Sequence, residues 1–363
     1  MRKHGIKLVL GYTVEGFKEK DNGVEVLLKD NPSLQADMVV LAIGVTPDTV
    51  LAKEAGLELG IKESIVVNDR METSVPDIYA AGDAVQVKHY VTGNDALISL
   101  AGPANKQGRI IADNICGGDS RYLGSQGSSV IKVFDMTAAT TGINETNAKK
   151  SGLDVDTVIL SPMSHAGYYP GGKVMTMKVV FEKETYRLLG AQIIGYEGVD
   201  KRIDVLATAI HAGLKATQLK DLDLAYAPPY SSAKDPVNMA GFMIDNIAKG
   251  TLKQWHLEDM DKISKDKNAV LLDVRTVGEF SRGHINGFKN IPVDELRERI
   301  NEVEKGKPVY LICQSGLRSY IASRILEGNG YETYNFSGGF RFYDAVANDH
   351  ALIERSYACG MDY

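Results

Sequence analysis

An apolar run that passes through a short glycine-containing loop into a helix-forming segment constrains the fold of this chain more than any other feature. The run "PVYLI" ends at Ile312, the loop "CQSGLR" covers residues 313–318, and "SYIASRILEGNG" follows. A short apolar run next to a tight loop and a helix is typical of a buried strand in an α/β sheet. We therefore expect Cys313 to lie at a helix start, where backbone N–H groups and the helix dipole favour a negative charge.

The same loop supplies further groups that suit a negatively charged sulfur. Gly316 lets the loop curl tightly, and Arg318 adds a permanent positive charge. The thiolate is the reactive form of cysteine, and the loop would equally hold a persulfide, the anion formed when a sulfane sulfur is attached to cysteine. From the loop alone, a reactive Cys313 and a half-buried structural cysteine at a strand end are equally open.

Composition excludes several function classes. The chain has 363 residues and a net charge of −6, whereas nucleic-acid binders usually present a basic face. No apolar stretch approaches the ~18 residues of a membrane span, so no membrane partner is expected. Cys116, Cys313 and Cys359 are far apart and form no CxxC pair. We therefore expect no disulfide framework, no metal site and a reducing, cytoplasmic setting.

Three stretches precede the C-terminal part. Residues 1–48 contain "MRKHGIKLVLGY", predicted as a strand, the strand-like "GVEVLLKD", and "ADMVVLAIGVTPD", predicted as a buried parallel strand. Residues 49–123 include "LAGPANKQGRIIADNICGG", a predicted helix that ends at Gly117. Residues 124–246 alternate strand-like runs with one amphipathic helix, which is an α+β pattern.

The C-terminal stretch carries the most specific motifs. A predicted linker at residues 247–258 leads to residues 259–355, where strands "AVLLDV" and "PVYLIC" flank a predicted helix "VDELRERINEVEKG". The order strand-"DVR", "GHINGFKNIP", strand-"CQSGLRS"-helix and "SGGF" is similar to that of the rhodanese family. This resemblance implies that Cys313 is the sulfur-carrying nucleophile and that Arg318 belongs to its anion pocket. The other residues of the implied persulfide loop are Gln314, Ser315, Gly316, Leu317 and Ser319.

Three more residues of these motifs are interpreted as structural. Asp273 and Arg275 are expected to tie loops together by hydrogen bonds. His284 lies far from Cys313 in sequence, and no pattern brings it to the sulfur.

A second motif lies in residues 49–123. "TSVPDIYAAGDA" leads into Gly82 and Asp83, and an Asx-type turn is the simple interpretation. With "VVLAIGVTPDT" before it and "LAGPANKQGRIIADNI" after it, the string resembles the second flavin motif of the FAD-dependent pyridine-nucleotide disulfide oxidoreductases. The resemblance implies that Asp83 holds the ribityl chain of FAD and that Gly102, Pro103 and Ala104 lie near the flavin. A solvated or interface face is predicted for Lys106, Gln107 and Arg109.

Residues 124–246 resemble the dimerisation domain of the same enzymes, which implies a homodimer. Glutathione reductase and dihydrolipoamide dehydrogenase carry a His-Glu pair late in this domain, whereas this chain reads "LDLAYAPPYSSAKDP". It is therefore similar to the single-cysteine branch: coenzyme A disulfide reductases, NADH oxidases and peroxidases, and persulfide reductases. In the first of these, tyrosines reach the partner's active site. The resemblance carries that role to Tyr168 and Tyr226, with Tyr169 and Tyr230 as rivals and simple packing as the structural alternative.

Together these resemblances predict an α/β chain with an incomplete flavoprotein core of two dinucleotide-binding domains, an α+β dimerisation domain and a rhodanese-like α/β domain. Residues 1–48 would be a remnant of the NAD(P)H-binding domain, and residues 49–123 the C-terminal part of the FAD-binding domain. The chain contains no G-x-G-x-x-G and no flavin-facing redox cysteine, so a region on the order of 150–200 residues is expected to be missing at the N-terminal side.

The implied parent enzyme uses NAD(P)H and FAD to reduce coenzyme A disulfide, persulfide or polysulfide. Its rhodanese domain exchanges sulfane sulfur with small molecules. FAD and NAD(P)H are expected in that parent and not on this chain alone. The alternatives for this chain are a stand-alone sulfurtransferase and a non-catalytic persulfide-carrier dimer.

Overall fold

A computed structural model describes the backbone of residues 1–359 and the side chains of residues 1–349 apart from Lys3. Its first sheet is antiparallel, with strands in the order β1-β2-β3. The strands are β1 (Val14–Lys20), β2 (Gly23–Leu28) and β3 (Asn31–Ala36). The strand predicted in "GVEVLLKD" is thereby confirmed as β2.

Two strand predictions in this region are wrong. Residues 6–13 form no strand and follow a 3-10 turn at Arg2–His4. Residues 37–47, predicted as a buried parallel strand, are irregular, and Ile43 is 88% exposed. The physical reason is that no neighbouring strand in the described part of the chain pairs with either segment. An apolar run has to gain ladder hydrogen bonds and a covering layer before it becomes a buried strand.

The next region is a small sheet, in the order β4-β5-β6, with one long helix. Its elements are α1 (Val50–Glu54), β4 (Ile65–Val66), β5 (Val85–Lys88), β6 (Asp95–Ala96) and α2 (Ala101–Ile115). Helix α2 packs Ile110 and Ile111 against a core that includes Met71 and Val85. It ends at Ile115 with Cys116 as its C-cap, and Gly117 follows with φ +89°, so the predicted helix and its end are confirmed.

The third region is a five-stranded antiparallel sheet in the order β7-β8-β11-β10-β9, with helices against it. Its helix α4 places Ile203, Leu206 and Ile210 in the core at helical spacing, which confirms the α+β prediction. The elements are β7 (Ser129–Val133), β8 (Met136–Gly142), α3 (Glu145–Lys150), β9 (Val155–Leu160), β10 (Thr176–Glu182), β11 (Leu188–Gly195), α4 (Val199–His211) and α5 (Pro236–Ala248).

The C-terminal region is a parallel α/β sheet in the order β12-β16-β15-β13-β14. Its elements are β12 (Gln254–Trp255), α6 (Met260–Lys265), β13 (Val270–Asp273), α7 (Val277–Arg282), β14 (Lys289–Asn290), β15 (Val309–Ile312), α8 (Leu317–Glu327), β16 (Thr333–Phe336) and α9 (Gly339–Cys359). Among the helices that the structure describes, none has the length and apolar character needed to cross a membrane.

The predicted linker, residues 247–258, contributes β12 to the C-terminal sheet, and the buried Trp255 ring lies 4.3 Å from that of Phe336. One expectation for this region is wrong. Residues 293–306 form successive turns and one 3-10 turn rather than the predicted helix. Here the hydroxyl of Tyr331 donates to the carbonyl of Val303 at 3.1 Å, so tertiary contacts replace helical hydrogen bonds.

The edge strand β9 is where the third region meets the C-terminal region. His256 Nε2 and Asp156 Oδ1 are 3.0 Å apart, and Ile159 N donates to Ser337 Oγ at 3.0 Å. Burial opposes charge on both members of the His–Asp pair, yet their hydrogen bond raises the pKa of His256 and lowers that of Asp156. These polar contacts bring the cysteine loop towards α5.

Candidate active site

The cysteine loop directs two hydrogen-bond donors at one sulfur. Cys313 follows β15 directly, and α8 begins at Leu317. Its Sγ accepts hydrogen bonds from Gly316 N at 3.1 Å and from Ser319 Oγ at 3.2 Å. Gly316 has φ +100°, a conformation that side chains with a Cβ rarely adopt. With Cys313 only 1% exposed, these donors are the groups that a thiolate or persulfide would need there.

The Gly338–Gly339 pair at the start of α9 lies against this loop and supports its backbone. Phe340 N donates to Cys313 O at 2.7 Å, and Arg341 N donates to Gln314 O at 3.1 Å. A Cβ at Gly339 would lie 2.7 Å from Ser315 Cα, a distance that real Cβ atoms essentially never show. The second glycine of "SGGF" is therefore required by close packing against the cysteine loop.

Asn335, on β16, is a loop contact that sequence reasoning missed. Its Nδ2 donates to the carbonyl of Gly316 at 3.1 Å, while the N–H of the same glycine donates to the sulfur. Nothing in the local pattern of the strand distinguishes it, because the contact depends on β16 lying beside β15.

Arg318 is engaged by a carboxylate that the sequence analysis also missed. Its two terminal nitrogens donate to Glu279 Oε1 and Oε2, each at 2.7 Å. The Arg318 hydrogen bonds hold the pKa of Glu279 down at about 2. Glu279 also closes a capping box with Thr276 at the start of α7. The T-x-x-E spacing was the available signal. No hydrogen bond joins Arg318 to Cys313 among the described residues, so its expected part in the anion pocket stays a prediction.

The residues interpreted as structural make the contacts expected of them. Arg275 Nη2 donates to Asp273 Oδ2 at 2.7 Å and to Gly283 O at 2.8 Å, and this pair is fully buried. His284 Nδ1 lies 3.1 Å from Phe280 O, and the two rings stack at 3.9 Å.

The structure brings the two flavin-motif segments together. Gly82 and Asp83 form a 3-10 turn, and a Cβ at Gly82 would lie 3.9 Å from that of Ala104. Asp83 and Gly102 are exposed, while Pro103 and Ala104 are partly buried. The carboxylate and the start of α2 therefore border one surface.

The prediction that Gln107 lies on a solvated or interface face is wrong, whereas Lys106 and Arg109 are exposed as expected. Gln107 is buried because its Oε1 accepts a hydrogen bond from Gly82 N at 2.7 Å and so holds the turn in place.

Tyr168 and Tyr226, 58 positions apart in the chain, meet at their hydroxyls, 2.6 Å apart. Tyr168 is 76% exposed, and its hydrogen bond raises the pKa of Tyr226. Of the two rivals, Tyr169 packs edge-on against His165 and Tyr230 is exposed. The described chain thus presents a paired set of phenols at its surface.

The buried Arg202, which sequence reasoning missed, fixes the loops that carry these tyrosines. Its Nη2 donates to Ser164 O and to Asp235 Oδ2, both at 2.9 Å. The same nitrogen donates to Ser231 Oγ at 3.2 Å. The available signal was its place among the apolar positions of α4, because an arginine buried there has to be paired with an acidic or polar group.

Three protein-family models match successive segments of this chain. Residues 1–108 match the pyridine nucleotide-disulphide oxidoreductase model, residues 128–236 its dimerisation-domain model, and residues 256–345 the rhodanese-like domain model. Among the described residues, no cluster of three His, Cys, Asp or Glu side chains is placed to hold a metal ion.

Similar proteins include curated relatives and solved structures. A "NAD(P)H sulfur oxidoreductase (CoA-dependent)" of Pyrococcus abyssi is 38% identical over 65% of this chain and 52% of its own length. A coenzyme A disulfide reductase of Staphylococcus aureus is 35% identical over 61% of this chain and 50% of its own length. The chain therefore spans about half the length of these relatives.

Two solved structures match over nearly the whole chain. Reduced CoADR-RHD from Bacillus anthracis is 46% identical, with a TM-score of 0.92 over 96% of this chain and 62% of that one. An NAD-dependent persulfide reductase from A. fulgidus is 40% identical, with a TM-score of 0.86 over 94% of this chain and 62% of that one.

The hydrogen bonds on Cys313 predict an order of thiol reactivity that depends on the reagent. Small iodoacetamide should label Cys313 first, because the Gly316 N–H and the Ser319 hydroxyl are placed to stabilise the reacting sulfur. A bulky maleimide should label Cys116 instead, because that thiol is exposed. Peptide mass mapping distinguishes them, although the side chain of Cys359 lies outside the described residues. As a control, Ser319→Ala should slow labelling of Cys313 alone. Preferential labelling of Cys116 by iodoacetamide would contradict the assignment.

The Glu279–Arg318 pair predicts a pH-dependent stability. A carboxyl whose folded pKa is about 2 stabilises the fold above its ordinary value of 4.5, and this contribution is lost as the pH falls towards 2. Glu279→Gln should therefore lower the free energy of unfolding by about 1 kcal/mol at about pH 7, with the difference vanishing near pH 2.

Urea unfolding followed by the fluorescence of Trp255, the one tryptophan of the chain, measures this difference. Glu298→Gln, at an exposed glutamate of the same region, serves as the matched control and should change little. An equal loss of stability at both pH values would show that packing, and not the ion pair, is responsible.

Proposed function

Because the chain belongs to the pyridine nucleotide-disulphide oxidoreductase family and carries a rhodanese-like domain, we propose that it serves in NAD(P)H- and FAD-dependent reduction of coenzyme A disulfide or persulfides, with Cys313 carrying sulfane sulfur. The observation that carries this proposal is the pair of donors on Cys313 Sγ. The printed functions of the Pyrococcus abyssi, Staphylococcus aureus and A. fulgidus proteins support the substrate class.

In the proposed sulfur transfer, the Cys313 thiolate attacks the outer sulfur of a donor such as thiosulfate. A new S–S bond forms on the cysteine, the S–S bond of the donor breaks, and sulfite leaves with the bonding electron pair. A nucleophilic acceptor such as cyanide then takes the terminal sulfur as thiocyanate and returns the thiolate. Gly316 N–H and Ser319 O–H stabilise the sulfur anion at each stage, and the start of α8 adds a favourable dipole.

The flavin-motif residues fit one side of FAD. Asp83 is exposed beside the start of α2, where its carboxylate can accept hydrogen bonds from ribityl hydroxyls, and Gly102 leaves space for a ring. Bound FAD would supply the electron transfer between NAD(P)H and a disulfide. The chain contains no glycine-rich turn for either pyrophosphate. We therefore propose that these 363 residues alone neither hold FAD tightly nor oxidise NADH.

A second candidate function is that of a stand-alone sulfurtransferase or persulfide carrier. It is favoured by one observation: the complete cysteine loop, its supporting glycine turn and its sheet all lie within residues 254–341. This function would need no flavin. Two free thiols among the described residues, with no disulfide, fit the cytoplasmic setting proposed for either function.

We also propose a homodimer formed by the third region. Ile131, Ala138 and Ile194 are register partners across β7, β8 and β11, so they share one face of the sheet. Ile131 and Ile194 are exposed, whereas Ala139 and Ile193 of the neighbouring row are buried in the core that includes α4. A partner subunit would cover this apolar face and receive the exposed Tyr168–Tyr226 pair.

One preparation tests the function. After FAD is added and the protein desalted, we expect no retained flavin absorbance and no NADH oxidation, but measurable thiosulfate:cyanide transfer. Cys313→Ser should abolish the transfer, because it removes the nucleophile. Cys116→Ser is the matched control and should leave it unchanged. Retained flavin with NADH turnover would overturn the proposed redox inactivity, and transfer that survives Cys313→Ser would remove Cys313 from its role.

Light scattering on the intact chain tests the dimer. Wild type should show twice the chain mass at micromolar concentration. Ile194→Glu should give monomers, because it places an unpaired charge in the proposed interface. Val277→Glu, at an exposed apolar position in the C-terminal region, should remain dimeric. A monomeric wild type would refute the dimer, and a dimeric Ile194→Glu variant would refute this face.

A further inference from the structure

The ion pair between Glu279 and Arg318 sets how much positive charge is available at the cysteine loop. Both terminal nitrogens of Arg318 donate to this carboxylate, each at 2.7 Å. The Glu279 side chain is held in position, since its Oε2 also accepts from Thr276 N at 3.0 Å and from Thr276 Oγ1 at 2.9 Å. With its pKa at about 2, the carboxylate stays ionised at neutral pH and balances the charge of Arg318.

Arg318 lies close enough to the sulfur for its charge to matter there. Its hydrogen bonds to Glu279 raise its pKa most, and the Coulombic fields of Cys313 and Asp273 raise it further. The Arg318 side chain is 31% exposed, so an incoming anion can reach it. A negatively charged sulfur donor therefore meets a guanidinium whose charge Glu279 already balances.

The other ion pair of these motifs adds no net charge. Arg275 is paired with Asp273 inside the protein, so the two arginines and two carboxylates together sum to zero. The hydrogen bonds that Cys313 Sγ accepts come from uncharged groups, Gly316 N and Ser319 Oγ. A thiolate on Cys313 then gives this set of groups a net negative charge. Each further negative charge on an incoming donor is therefore disfavoured.

We propose that Glu279 is a positioning residue that, by neutralising Arg318, makes the Cys313 site select sulfane-sulfur donors with at most one negative charge over the dianion thiosulfate. This inference rests on the proposed sulfur transfer. The chemical step is the same for both classes of donor. The Cys313 thiolate attacks the sulfane sulfur, an S–S bond forms on the cysteine, and the leaving group departs with the electron pair of the bond that breaks. Glu279 sets only the charge that the donor meets.

Two donors that differ by one negative charge test this selectivity on the intact chain. Thiosulfate is a dianion and releases sulfite, whereas methanethiosulfonate is a monoanion that delivers the same sulfane sulfur and releases methanesulfinate. With cyanide as the acceptor, thiocyanate formation gives kcat/KM for each donor. The readout is the ratio of kcat/KM for thiosulfate to that for methanethiosulfonate. Differences between the leaving groups cancel when this ratio is compared between wild type and variants.

Two variants should move this ratio in opposite directions. Glu279→Gln should raise it about tenfold at low ionic strength, because it leaves the charge of Arg318 unbalanced. Arg318→Gln should lower it by a similar factor, because it leaves the Glu279 carboxylate unbalanced, and it serves as the test should Glu279→Gln fail to fold. About 0.5 M salt should reduce both effects, since exposed charges are screened. A merely structural role would slow both donors alike and leave the ratio unchanged.

Glu298→Gln, which removes an exposed carboxylate of the same region, is the matched control and should leave the ratio as in wild type. An unchanged ratio in a folded Glu279→Gln or Arg318→Gln variant that still transfers sulfur would overturn this inference and leave the proposed function standing. Absence of transfer from either donor to wild type would instead overturn the proposed sulfur transfer, and this inference with it.

Discussion

The close approach of Gly339 to Ser315 is the contact on which the cysteine loop depends. A side chain at this position would collide with the loop backbone, and the same turn supplies the N–H groups of residues 340 and 341 to the carbonyls of Cys313 and Gln314. Because these two hydrogen bonds fix the loop carbonyls, the Gly316 N–H is free to donate to the sulfur of Cys313. The chemistry of one cysteine thus depends on a glycine 26 positions later in the sequence.

The arrangement of parallel strands makes this contact possible. β15 lies between β13 and β16, so the segments that leave their carboxyl ends meet at one edge of the sheet. Asp273 and Arg275 brace the segment after β13, and Ser337 begins the turn after β16. Three segments far apart in the chain therefore surround Cys313, each held by buried hydrogen bonds.

The sheet of the third region gives this edge a fixed neighbour. Contacts from β9 to His256 and Ser337 hold the cysteine loop near α5. As a consequence, Ser315 and Gly316 of the loop border a cavity that α5 also lines. The predicted linker contributes to this junction, because its Trp255 ring is buried against Phe336.

The sequence by itself determined the elements whose signals are local. The strand and helix around Cys313, the α2 helix with its glycine end, and the α+β pattern of residues 124–246 all follow from apolar spacing and turn residues. Only the tertiary structure decided which segments lie side by side and which side chains pair. It left residues 37–47 exposed for want of a neighbouring strand, and it buried Gln107. It also paired Arg318 with Glu279 and brought Tyr168 to Tyr226. Local pattern indicated the strands and helices whose apolar faces find a partner in this chain, and it failed at residues 37–47 and 293–306. Hydrogen-bond partners and burial depend on which distant segments become neighbours, and a single sequence carries no local signal for that.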